Sequence, residues 1–291
     1  MPNHHIVKFQ NLKREQFLYS NFLYTNYSLD YTLNSLQRLG AKKLEFYGAE
    51  PHCCMYDLTY GDMKAFKQKL DAHGLCVEEI NPECCTYPNN LASRNPVTRF
   101  RSFRYFENAI RMAGVIGASS VVMCPGYASL DEDLEDAWKL AVDAMSRLAD
   151  IAKAEGVTVT LEATTPNYTV VNDHKQMKRL LDDCGKDNIK AAVDLLCLAQ
   201  TGETVQDVYD LCGGDKIGVV HYRDGELLNT GAWAGRVPGE GGLDLEASFK
   251  VFDHNGYHGY FGSEIRWSTN PALNTPELIS EKIQNWLDQH F

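Results

Sequence analysis

The stretch "VTVTLEATTP", Val157 to Pro166, runs through β-branched residues into Leu161 and then meets a carboxylate, Glu162, where a strand should end. A charge buried at a strand tip is costly unless something compensates its desolvation. Three more strand ends of this kind follow. "AAVDLLC" reaches Asp194, "GVVHYRD" reaches His221 and "YFGSEI" reaches Glu264. If these four ends converge on one axis, three carboxylates repel one another and at least one is driven neutral. A divalent cation removes that repulsion. Three carboxylates and one imidazole suit Mn2+ foremost, with Co2+, Mg2+ or Zn2+ as alternatives, whereas thiolates would narrow the choice to zinc. The residue types thus point to one divalent ion held by Glu162, Asp194, His221 and Glu264. The second ring nitrogen of His221 then needs an orienting partner, for which Asp224 is a candidate; a solvated loop residue is the equal alternative for Asp224.

The elements that must bring these ends together can be read from the hydropathy pattern. Short β-rich runs alternate with longer runs of helical period. "LYSNFLY", "KKLEFYG", "CVEEINP", "SSVVMCPG", "VTVTLEA", "IKAAVDL", "IGVVHYRD" and "GYFGSEI" are the strand candidates. Helical patterns follow them, several stopping at a glycine such as Gly40, Gly74, Gly117, Gly156 or Gly256. Eight strand–helix units with no spare length close most simply into a single (β/α)8 barrel spanning residues 1–291. An open doubly wound sheet would show a Gly-rich phosphate loop after an early strand, and none is present. The longest loops, 48–59, 82–95, 164–172 and 224–243, all follow strands. That puts them on the C-terminal rim, where barrel enzymes keep their chemistry.

The formal net charge of −11 argues against a nucleic-acid partner, which would require a basic face. No apolar run reaches membrane-span length, and "MPNHHIVKFQNLKREQ" has no apolar signal core, so a cytoplasmic protein without a membrane partner is expected. The nine cysteines are odd in number, irregularly spaced and without a Cys-x-x-Cys pair. They read as reduced thiols rather than a disulfide framework or zinc knuckle.

The late strand ends "LEATTP", "VDLLC", "VHYRD" and "SEI", together with the Pro-Gly-x-Gly loop in "RVPGEGGLD", resemble the xylose isomerase-like TIM barrels, a superfamily of sugar isomerases and epimerases. The similarity is greatest to fructoselysine 3-epimerase and the ketose 3-epimerases, and "GAEPH" and "NPECCTYPNN" resemble substrate-side loops of the former. The resemblance implies metal-dependent proton transfer at the carbon next to a ketose carbonyl, through an ene-diolate. Glu162 and Glu264 would be the acid–base pair on opposite faces of the sugar, while Asp194 and His221 mainly hold the metal. Many ketose epimerases carry a His three residues after the strand-six Asp; here that position is Cys197. Endonuclease IV, in the same superfamily, needs further His ligands and a basic face that this chain lacks.

On the rim, His52, Glu83, Cys197, Arg236 and Trp267 are the candidate substrate contacts, with Trp233 and Tyr127 as further aromatic candidates. Arg236 precedes the Pro238–Gly241 turn and can hydrogen-bond sugar oxygens. The expected partner is a small sugar or glycoside, and the expected assembly a homo-oligomer. Two rivals use the same residues. In a lyase, α-proton abstraction leads to β-elimination, as in the metal subunits of C-glycoside deglycosidases, which act on 3-oxo-glycosides and pair with a small β-rich subunit. A sugar-binding or regulatory barrel would keep the metal without turning substrate over.

Overall fold

A computed structural model of the chain describes residues 9–84, 89–164, 170–265 and 274–291. Strand and helix alternate along it. β1 (Tyr19–Ser20) is followed by α1 (Leu29–Arg38), β2 (Lys43–Gly48) by α2 (Tyr60–Ala72), β3 (Cys76–Pro82) by α3 (Pro96–Ile116) and β4 (Ser120–Met123) by α4 (Leu134–Ala154). β5 (Thr158–Glu162) precedes α5 (His174–Cys184), and β6 (Ile189–Asp194) precedes two helices, α6 (Leu195–Thr201) and α7 (Val205–Cys212). β7 (Ile217–Tyr222) leads into a hairpin of β8 (Asp224–Leu227) and β9 (Trp233–Arg236), then α8 (Leu245–His254). β10 (Phe261–Ser263) and α9 (Pro276–His290) complete the order.

Eight strands form one sheet in the order β1-β2-β3-β4-β5-β6-β7-β10. Each neighbouring pair is parallel. A parallel bridge between Phe17 and Phe261 brings the first strand round to the last, with the Leu18 N–H donating to the Phe261 carbonyl at 2.8 Å. This is the expected (β/α)8 barrel.

Strand periodicity explains which residues reach the interior. Along β5, Val159 and Leu161 are fully buried in the main core under the helices, so Thr160 and Glu162 point the other way. Val122, Ala192 and Val219, from β4, β6 and β7, form a small separate cluster, the apolar floor of the barrel interior. Outside, the α4 residues Ala137, Ala141, Ala144, Met145, Leu148, Ala149 and Ala152 are buried at three- and four-residue spacing. Their small size lets the helix lie close to the strands. Each large aliphatic buried between these layers contributes about 1.5–3 kcal/mol.

Three local features depart from the sequence pattern. The first strand stops at Ser20, whose hydroxyl accepts from the Phe22 N–H at 3.2 Å and starts a 3-10 turn over Asn21–Tyr24. "SNFLY" is therefore mostly turn. The second departure is α6, which begins directly at the end of β6 because the Asp194 side chain caps it. The third is the β8–β9 hairpin inside what reads as a loop at 224–243. Among the described residues no helix is long and apolar enough to cross a membrane.

Candidate metal centre

Glu162 ends β5, Asp194 ends β6, His221 is the penultimate residue of β7 and Glu264 follows β10 directly. Parallel register sets their heights. Glu162 aligns with Ala192, two residues before Asp194; Asp194 aligns with His221, and His221 with Gly262. The four side chains therefore meet at the C-terminal mouth, each offering one ligand atom, all within 4.8 Å of one another. Glu162, Asp194 and His221 are buried, and Glu264 is half-buried.

The polar contacts divide the work among them. His221 Nδ1 lies 2.9 Å from Glu162 Oε1. Asp194 Oδ1 accepts from the Leu196 and Cys197 backbone N–H groups at 2.7 and 3.1 Å. Its Oδ2 accepts from Arg223 Nη2 at 2.6 Å. Arg223 Nη1 donates to the Glu264 carbonyl at 2.8 Å and also to its carboxylate. Burial works to raise the Asp194 pKa, but Arg223, His221 and the two amides outweigh it and hold the carboxyl below its usual range. Burial likewise works to lower the His221 pKa. Glu45, Glu162 and Glu79 outweigh it and hold the ring well above the usual value. The site thus attracts positive charge strongly, and a divalent ion would take the place of the proton on Nδ1.

On the far side of the ring, His221 Nε2 faces Glu45 Oε1 at 3.6 Å and Glu79 Oε1 at 3.5 Å. These carboxyls come from β2 and β3, across the barrel, and are 1% and 0% exposed. Asn81 Nδ2 donates to Glu45 at 3.1 Å. Burial drives both acids up, toward the neutral form. Asp224 is therefore not the neighbour of this nitrogen; the acid pair flanks it, at distances longer than a hydrogen bond. The Asp224 carboxylate accepts instead from the backbone N–H groups of Gly225 at 2.7 Å and of Gly239, Gly241 and Leu243, each at 3.0 Å. It holds the Pro-Gly-x-Gly loop against the hairpin. At Gly241 a Cβ would lie 2.3 Å from Asp224 Oδ1, so a glycine is required for that close approach.

The rim candidates separate. Cys197 is buried beside the cluster, and burial raises its thiol pKa well above the usual value, so it stands there as a neutral thiol. Glu83 is half-buried and accepts from the Tyr47 hydroxyl. His52 belongs to the core instead. Its Nδ1 contacts Asn21 Nδ2 at 2.8 Å, and its Nε2 contacts the Tyr27 carbonyl at 3.0 Å and Thr32 Oγ1 at 3.1 Å, which leaves neither nitrogen for a sugar. Arg236 sits on the hairpin, ion-paired to Glu226 at 2.7 Å. Trp233 packs near Gly225, and Tyr127 is half-buried with its backbone N–H on Asn90. Trp267 lies outside the described residues, as do parts of the loops 82–95 and 164–172. Three residues at the cluster escaped the sequence reading: Arg223, Glu45 and Glu79. The last two lie within strands, and the sequence alone does not say which way they face.

The xylose isomerase-like TIM barrel family pattern matches residues 33–290. The inosose isomerase of Bacillus subtilis (strain 168) is 25% identical over 186 residues, 63% of this chain and 66% of that protein. The chain thus spans just under two thirds of that relative's length. A crystal structure of the IolI protein with a bound zinc atom superimposes with a TM-score of 0.77 at 19% identity, covering 95% of this chain and 99% of the other. L-ribulose 3-epimerase superimposes with a TM-score of 0.74 at 20% identity, covering 94% and 92%.

Proposed function

Since the chain belongs to the xylose isomerase-like TIM barrel family, we propose that it is a metal-dependent sugar epimerase or isomerase of the 3-epimerase type, moving a proton at the carbon next to a ketose carbonyl. One observation supports this above all: Glu162, Asp194, His221 and Glu264 converge with their ligand atoms within 4.8 Å. The donor set fits a divalent cation. It is rich in carboxylate oxygen, contains one imidazole whose other nitrogen is backed by acids, and is largely closed to water. Mn2+ suits it foremost, with Co2+, Mg2+ and Zn2+ as alternatives. When bound, the ion supplies Lewis-acid stabilisation of charge developing on substrate oxygen.

The chain's own residues supply the rest. Asp194 is a poor base because both of its oxygens already accept hydrogen bonds, so its role is to hold the metal. Glu162 and Glu264 take the acid–base roles, one removing a proton from one face of the substrate and the other returning one to the opposite face. The neutral thiol of Cys197 leaves a less polar wall beside them than an imidazole would. That feature favours a second reading, elimination on a glycoside following the same proton abstraction, with a small β-rich subunit completing the pocket. Under the epimerase reading the assembly is a homo-oligomer.

Turnover of a ketose panel in D2O tests both readings. An epimerase puts deuterium at the inverted carbon. Glu162→Gln and Glu264→Gln each lower turnover by about 10²–10⁴-fold, the usual loss of a general base. Near-normal turnover in both variants refutes the acid–base assignment. Deuterium entry with loss of a substituent establishes the lyase reading in its place.

A further inference from the structure

We propose that Arg223 sets the charge of the candidate metal centre at two negative units, building it for a divalent cation and against a trivalent one. This rests on the reading of the Glu162–Asp194–His221–Glu264 cluster as a metal centre. The guanidinium donates to Asp194 Oδ2 at 2.6 Å, to the Glu264 carbonyl at 2.8 Å and to the Glu264 carboxylate. Its side chain is only 17% exposed. Arginine keeps its charge at every working pH, so this is a permanent positive unit one hydrogen bond from two of the four ligands. Three carboxylates and one guanidinium leave two negative charges. His221, Glu45 and Glu79 are the same in every variant compared below, so they drop out of the comparison.

Holding two carboxylates apart needs only hydrogen-bond donors, which a neutral amide could provide. A guanidinium also adds a field, and the energy of a bound ion in that field scales with the ion's own charge. The two roles are therefore separable. Losing Arg223 as a spacer weakens every ion alike, whereas losing its charge changes the preference between ions of different charge. A unit charge at this range, in a medium of effective dielectric constant about 20, alters that preference by the order of 100-fold.

The experiment titrates metal-free protein with Mn2+ and, separately, Tb3+, reading free Mn2+ by electron paramagnetic resonance and bound Tb3+ by sensitised luminescence. The quantity of interest is the ratio of the two dissociation constants. Arg223→Met is expected to shift that ratio toward Tb3+ by about tenfold to a few hundredfold, while Arg223→Lys keeps the wild-type ratio. Glu264→Gln removes one negative charge and shifts the ratio the opposite way; Arg223→Gln, a neutral amide that can still donate, shifts it as Arg223→Met does and decides the matter if Arg223→Met does not fold. The double variant Arg223→Met, Glu264→Gln restores the charge count and the wild-type ratio. Mn2+ binding to wild type with an unchanged ratio in Arg223→Met, or in Arg223→Gln should Arg223→Met not fold, overturns the proposal. Absence of any Mn2+ binding to wild type overturns the metal centre itself.

Discussion

Gly262 lies on β10 beside His221, and replacing it with alanine tests the buried carboxyl pair directly. A Cβ there would sit 1.8 Å from Glu45 Oε2, 2.6 Å from Glu45 Cδ and 3.4 Å from His221 Cδ2. The Glu45 carboxyl cannot simply swing away. It is 1% exposed, its other oxygen accepts from Asn81, and Glu79 beside it is 0% exposed. Overpacking of this kind costs about 1–3 kcal/mol. At about 2–4 °C per kcal/mol, Gly262→Ala should lower the melting temperature by roughly 2–12 °C. The companion experiment places the same change in a Glu45→Ala background. With the carboxyl gone, the added methyl has room, and its cost should fall to within about 0.5 kcal/mol of zero, leaving a coupling energy in the double-mutant cycle. Urea denaturation of the metal-free protein measures all four corners without interference from ion binding. Equal cost in both backgrounds, or no cost in wild type, refutes the contact.

The loop held by Asp224 makes a second case: Asp224→Ala strands four backbone donors and should lower stability by about 2–4 kcal/mol, with protease cleavage appearing within residues 225–243. Unchanged cleavage would show that the loop does not depend on the carboxylate. Cys197→Ser should change KM for the sugar more than it changes the melting temperature; a lowered melting temperature with unaltered kinetics would assign the thiol to packing alone. Asp253 accepts backbone N–H groups from Gln10, Asn11 and Leu12. Burial nudges its pKa up, but those amides outweigh it and hold the carboxyl below the usual value. Its stabilisation is therefore complete above the unfolded pKa of about 3.9 and is lost as pH falls through the lower folded value. The stability gap between wild type and Asp253→Asn should stay constant from neutral pH to about 5 and narrow below about 4; a gap that widens on acidification contradicts the contact.

The barrel and the four converging side chains could be read from the chain because each side chain terminates a period-two apolar run, and parallel strands carry such termini to one end. Glu45 and Glu79 could not be read the same way. An acid within a strand usually faces water, and the adjacent Glu78 does form an outer ion pair with Lys43 at 3.2 Å. Only the closed barrel reveals which of two neighbouring glutamates points inward. Arg223 was hidden by its sequence neighbours, since "RD" after a strand resembles a solvated turn. His52 misled for the opposite reason. Its partners Asn21, Tyr27 and Thr32 come from a segment whose turn structure the "SNFLY" pattern did not disclose. The missed helix α6 has a similar origin: it starts without a Gly, Pro or polar break because Asp194 itself supplies the cap.

The closure of the barrel is uneven, and this bears on the fourth carboxylate. β1 has two residues and β10 three, while β5, β6 and β7 have five or six. Among the described residues β1 and β10 meet through little more than the Phe17–Phe261 bridge and the Leu18 N–H bond, backed by aromatic stacking of those two phenylalanines. Glu162, Asp194 and His221 thus ride on well-laddered staves, and Glu264 rides on the stave beside the seam. Segments with few ladder bonds open first, so the Leu18 amide should exchange with solvent faster than that of Val159, and equal rates would deny the seam. Were the four side chains to hold an ion as proposed, Glu264 would be the ligand whose stave carries the fewest ladder bonds.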